Sequence, residues 1–172
     1  GLRDLDELLT GRHATDLVIL AARPAMGKSA FAMGAAVNAA RTGHGVGVLS
    51  LEMSSEQLGG RVLTSEARIN GHRARTGRLH SDEWEPLLGA VEGASSLPLW
   101  IDDSAVVGLS QIRAGLRRLR SRSSVHLLVI DYLQLLAGSA SKQAQSSRER
   151  EVAELARGLK LLAKGEGIAV LL

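Results

Sequence analysis

Between an apolar run at Leu17 to Ala22 and an alanine-rich stretch from Lys28 to about Arg41 lies the octapeptide Ala22-Arg23-Pro24-Ala25-Met26-Gly27-Lys28-Ser29. It fits the pattern G-x-x-x-x-G-K-[ST] at every fixed place but the first, where Ala22 stands for glycine. A strand, a tight loop and a helix in that order let successive main-chain N–H groups wrap an anion while the helix aims its positive end at it. The backbone of Arg23, Pro24, Ala25, Met26, Gly27, Lys28, Ser29 and Ala30 would line such a cradle. Lys28 would reach the outer phosphates of a nucleotide, and the Ser29 hydroxyl would bind magnesium. The competing reading is a chance Gly-Lys-Ser turn, which the flanking strand and helix disfavour. Ala22 can hold the first position if its φ is negative, because a methyl group is excluded mainly where φ must be positive.

Elsewhere, short apolar runs alternate with helical periodicity, the pattern of an α/β fold whose mainly parallel sheet is covered by helices on both faces. Strands are expected at Leu17 to Ala22, Val46 to Leu51, Leu99 to Asp102, His126 to Asp131 and Ile168 to Leu172. The first helix should stop at Gly43 and Gly45. Ser54 with Gln57 three residues later predicts a helix reaching about Ile69. Ser81, followed by Asp82 and Glu83, predicts another to about Ser95. Ser110 should start an arginine-rich helix carrying Arg113, Arg117, Arg118, Arg120 and Arg122. Ala137 to Ser147 reads as a polar loop before a helix at Arg148 to Lys164.

Two carboxylates complete the candidate chemistry. Leu127 to Asp131 is an apolar strand ending in an acid, and Asp131 would hold magnesium through its water shell. An apolar strand followed by an ordinary turn looks the same. Glu52 ends the strand after the loop's helix, where the carboxyl ends of parallel strands line a ligand crevice, and it is the expected general base. Glu56, Glu66, Asp102 and Asp103 compete, with Asp102 the strongest rival.

Composition narrows the partners. A formal net charge of +3 permits a nucleic-acid partner without requiring one. An aromatic content of 2% argues against base stacking as the main way of holding a strand. The absence of cysteine excludes disulfides and thiolate metal sites and is compatible with the cytoplasm. The longest apolar runs, Leu127 to Ile130 and Ile168 to Leu172, fall far short of the ~20 residues of a membrane span, so a soluble protein is expected. The first residues lack the order of a signal peptide.

The strings Ala21-Ala22-Arg23-Pro24-Ala25-Met26-Gly27-Lys28-Ser29, Ser50-Leu51-Glu52-Met53-Ser54 and Asp131-Tyr132-Leu133-Gln134 resemble signatures of the DnaB-type bacterial replicative helicases. So do Ser65-Glu66-Ala67-Arg68 and Arg75-Thr76-Gly77, in matching order and across essentially the whole chain. The resemblance implies a RecA-like domain over residues 1–172, incomplete at its C-terminal end, that burns ATP with Mg2+ in a homo-hexameric ring around single-stranded DNA. It implies Lys28 and Glu52 as catalytic groups, Ser29 and Asp131 as metal ligands, and primase and a helicase loader as partners. It also matches the loop from Ala137 and the helix start at Arg148 and Glu149 to the family's DNA contact in the central channel. Arg148 and a helix N-terminus can engage phosphates without reading bases, though a solvated loop fits the same residues. Gln134 has no role that follows from its chemistry. Without the polar sensor and the arginine finger that a neighbour supplies in the family, the fragment should bind nucleotide far better than it hydrolyses it. A recombinase- or clock-type ATPase of the same fold, and a nucleotide-binding assembly module that does not unwind, are the alternatives.

Overall fold

The computed structural model describes residues 7, 13–23, 25–104, 108–131 and 142–172, with the backbone alone over 142–149. Its strands are β1 (Leu17–Val18), β2 (Val46–Ser50), β3 (Leu99–Asp102), β4 (Leu127–Asp131) and β5 (Ala169–Leu171). Its helices are α1 (Lys28–Arg41), α2 (Ser55–Glu66), α3 (Gly71–Arg75), α4 (Trp84–Ser95), α5 (Leu109–Arg120) and α6 (Lys142–Glu166), with a 3₁₀ turn at Ser81–Glu83. The strands form one sheet in the order β1-β5-β4-β2-β3, and every pairing is parallel. No helix among the described residues is long and apolar enough to cross a membrane.

β2 and β4 are buried at every position because apolar side chains leave them in both directions. Val46, Val48, Leu127, Val129 and Leu171 meet Ala32, Met33, Ala36, Val37 and Ala40 of α1 and Leu58 and Val62 of α2. On the other face, Leu49, Leu128, Ile130 and Val170 meet Ile112, Leu116 and Leu119 of α5 and Leu159, Leu162 and Ala163 of α6. The alternation is the two-residue period of a strand, doubled because both faces are covered. Small residues set the closeness of the layers: a Cβ on Gly47 would stand 2.6 Å from the Leu119 side chain.

Several ends follow the sequence cues. The Ser54 hydroxyl accepts from Gln57 N–H at 3.2 Å, and the Gln57 side chain accepts from Ser54 N–H at 3.3 Å. Gly43 takes φ 85° just past α1, donating to the Ala40 carbonyl at 2.9 Å. Other ends differ. α2 stops at Glu66, where Arg68 enters the left-handed region at φ 54°. Asn70 then caps α3, accepting from His72 and Arg73 N–H, so the expected helix ends short of Ile69 and a separate short helix, not expected from the sequence, follows it. Ser81 lies inside its turn, and the carboxylate of Glu83 holds the preceding N–H, that of His80, at 2.9 Å. α6 begins at Lys142, six residues before the expected Arg148, because Lys, Gln and Ala favour helix even in a polar stretch. Two of the arginines on α5 serve the fold. Arg118 holds Asp102 with Nε at 3.2 Å and Nη2 at 2.9 Å, and Arg120 pairs with Glu166. Arg113 and Arg117 make no ion pair among the described residues.

Candidate functional site

Chain crossing brings the site together. From β1 at one margin of the sheet, α1 runs over the face formed by β5, β4 and β2 before the chain enters β2. The N-terminus of α1 therefore stands over the carboxyl tip of β4. β1 itself is shorter than the expected Leu17 to Ala22, yet its ladder with β5 reaches further: Leu172 N–H donates to Val18 O at 2.9 Å and Leu20 N–H to Leu172 O at 2.8 Å.

The loop that follows is exposed at Arg23, Ala25, Met26 and Gly27, while Pro24 lies outside the described residues. Met26 N–H closes a turn on the Arg23 carbonyl at 3.2 Å. Positive φ among the non-glycine residues described falls at Thr15, Ala25 and Arg68, so Ala22 takes the loop's first position without left-handed backbone. The strained position is Ala25, at φ 63°, two residues before Gly27 at φ 85°. The sequence pattern points to the wrong alanine, because it marks Ala22 as the departure and leaves Ala25 unconstrained.

Gly27 caps α1 without a side chain, and the helix's first main-chain bond runs from Phe31 N–H to the Gly27 carbonyl at 2.9 Å. The N–H groups of Lys28, Ser29 and Ala30 therefore have no partner within the helix and are available to an anion. A Cβ built on Gly27 would meet nothing described within 4 Å.

Lys28 and Ser29 converge on Asp131. The Ser29 hydroxyl donates to Oδ2 at 2.8 Å, and the Lys28 ammonium stands 2.7 Å from Oδ1. The carboxylate is 7% exposed, and Oδ1 receives no well-directed hydrogen bond, only the ionic contact. A buried carboxylate oxygen left short of donors beside a hydroxyl is the hard-oxygen set that suits magnesium, which takes one or two protein ligands and draws the rest from water and phosphate. Among the described residues no group of three or more His, Cys, Asp or Glu could hold a metal without such help.

Glu52 lies two residues past β2, whose last residue, Ser50, is in register with Asp131. It is exposed and makes no hydrogen bond or ion pair among the described residues. Three of its four rivals are committed elsewhere. Asp102, at the tip of the marginal β3, lines a groove of about 420 Å³ against α5 that is walled also by Arg118 and Arg122. Burial there would raise its pKa, but hydrogen bonds from Ser104 and Arg118 outweigh this and hold the carboxyl below the usual range. Asp103 accepts from Ser55 N–H at 2.7 Å, which lowers its pKa and ties it to the start of α2. Glu66 pairs with Arg41. Glu56 sits exposed in the first turn of α2.

The side chains of Arg148 and Glu149, together with Gln134 and residues 137–141, lie outside the described residues. The backbone of Arg148 belongs to the interior of α6 rather than to its start.

A family model described as the DnaB-like helicase C terminal domain matches residues 1–172. The chain is 42% identical over 165 residues to the replicative DNA helicase DnaB of Geobacillus stearothermophilus, covering 95% of this chain and 36% of that protein. It is 41% identical over 165 residues to the replicative DNA helicase DnaC of Bacillus subtilis, with the same shares of 95% and 36%. It therefore spans little more than a third of these relatives. Among solved structures, one described as an ATPase domain superposes with a TM-score of 0.86 at 28% identity, over 99% of this chain and 61% of that one. A structure of a DnaB-like replicative helicase and its interactions with primase also gives 0.86 at 28%, over 99% and 41%.

Proposed function

Because the chain belongs to the DnaB-like helicase C-terminal domain family, we propose that it is the ATP-driven motor of a replicative DNA helicase. In this reading, ATP hydrolysis drives movement along single-stranded DNA and unwinding at the fork, within a homo-hexameric ring in the cytoplasm. The observation that carries it is the convergence of Lys28 and Ser29 on the buried Asp131 beneath helix N–H groups that have no partner within the helix. Those N–H groups and the Arg23 to Ala30 backbone hold the phosphates, and Lys28 reaches the outermost one. Ser29 and Asp131 are the protein ligands for Mg2+, which when bound would offset the phosphate charge. Glu52, with no hydrogen bond or ion pair among the described residues, orients the attacking water and accepts its proton.

The segment of α6 at Arg148 and Glu149 is proposed as the DNA contact of the ring's channel, with Arg148 engaging phosphates in contacts that carry no base sequence. Primase is proposed as a partner because a structural relative is described through its interactions with primase, and a loader because a closed ring must be opened to admit a strand.

The decisive experiment compares two variants for binding of labelled nucleotide and single-stranded DNA. Lys28→Ala should abolish nucleotide binding, while Arg148→Ala should spare it and weaken DNA binding. Undiminished nucleotide binding by Lys28→Ala would refute the site. Strand displacement by the full-length protein carrying this segment separates a motor from a nucleotide-binding assembly module.

A further inference from the structure

Both carboxylate oxygens of Asp131 are contacted by side chains that the nucleotide reading needs elsewhere. Its Oδ2 takes the Ser29 hydroxyl at 2.8 Å and its Oδ1 the Lys28 ammonium at 2.7 Å. We propose that the Lys28–Asp131 ion pair is a plug on the metal position, keeping bare divalent cations off Asp131 until a phosphate draws the ammonium away. The inference rests on the nucleotide reading of the loop and concerns how that site is filled.

An ammonium and a dication cannot share one carboxylate oxygen, since two positive charges a few ångströms apart in a partly buried site repel strongly. One partner of the pair is fixed and the other can travel. Asp131 ends a strand buried at every residue, and its own carbonyl accepts Leu51 N–H at 3.3 Å, so the carboxylate stays where β4 holds it. Lys28 is more exposed, at 18% against 7%, and its flexible stem roots it in the first turn of α1, beside N–H groups that have no partner within the helix. The ammonium can therefore swing between carboxylate and phosphate. The contact it leaves is ionic only, because Oδ1 receives no well-directed hydrogen bond.

The exchange must be concerted. Removing Lys28 alone would strand a buried carboxylate without a counter-charge, which is costly. Phosphate draws the lysine off, and the metal replaces it on Asp131. Nucleotide and metal then enter as a unit, each raising the other's affinity by the same factor.

The test uses the whole chain and Mn2+ as probe, with free metal followed by electron paramagnetic resonance and no nucleotide present. Wild type should bind Mn2+ weakly, while Lys28→Met and Lys28→Ala should each bind it about tenfold or more tightly. Adding Asp131→Asn to Lys28→Met should erase the gain. Equal affinity in wild type and both lysine variants would overturn the plug, as would a gain that survives Asp131→Asn. Should the lysine variants not fold, 15N-lysine spectra of the wild type decide: the Lys28 resonance should hold through Mg2+ alone and move when ADP is added. Movement with Mg2+ alone overturns the proposal. Wild type that fails to bind labelled ADP with Mg2+ would remove the nucleotide reading itself, whereas a failed plug leaves that binding intact.

Discussion

Gly27 and Gly43 bracket α1 with the same backbone angle, φ 85°, and a Cβ built on either meets nothing described within 4 Å. Replacing each by alanine therefore imposes the same local penalty, about 1–2 kcal/mol for a left-handed non-glycine residue. For a chain of this size that corresponds to a drop in melting temperature of about 2–8 °C. The two variants should be indistinguishable by urea or thermal unfolding. They should separate completely in a fluorescence anisotropy titration with labelled ADP and Mg2+. The methyl group at residue 27 is added immediately before the Lys28, Ser29 and Ala30 donors, where a phosphate must come close. A hundredfold or greater loss of affinity is expected, about 2.8 kcal/mol. Gly43→Ala, at the opposite end of the helix, should bind as wild type does. If Gly27→Ala binds within threefold of Gly43→Ala, phosphate does not approach this loop and the assignment of the cradle is wrong.

Glu52→Gln keeps the shape of the side chain and removes its basicity. In the full-length protein carrying this segment, it should leave ADP affinity within about threefold and cut single-turnover ATP hydrolysis by about 10²–10⁴; a matching fall in both would make Glu52 a binding residue instead. The carboxyl of Asp103 is held below its usual pKa by Ser55 N–H, so its contribution to stability is present above the unfolded value and disappears as pH falls through the lower folded one. Asp103→Ala should accordingly be less stable than wild type to urea at neutral pH, with the difference shrinking toward zero in strong acid. A gap independent of pH would remove the electrostatic explanation.

The covered parallel sheet and the phosphate loop can be read from residues alone because each cue acts locally. Val46 to Ser50 and Leu127 to Asp131 are largely apolar, which suits a strand buried on both faces. Gly43 and the Ser54–Gln57 pair mark helix ends through bonds spanning a few residues. What stays hidden depends on distant partners or on balances between weak preferences. No spacing rule pairs Arg118 with Asp102, Asp103 with Ser55 N–H, or Arg73 with Glu83. The start of α6 eludes the sequence because the polarity of 142–147 masks its helix propensity. The meeting of Ser29 with Asp131 spans 102 positions. Both residues are legible as metal ligands, but their direct contact, and the lysine lodged beside them, require the sheet order.

β1 occupies a margin of the sheet, and among the described strands only β5 pairs with it. Main-chain anchorage of the segment that leads into the phosphate loop runs in part through the amides of Val170, Leu172 and Leu20. Ligand capture at the loop ought to be felt there as slowed deuterium uptake, although none of the three touches the cradle. Loosening that seam would blunt the loop's grip while leaving every cradle residue in place.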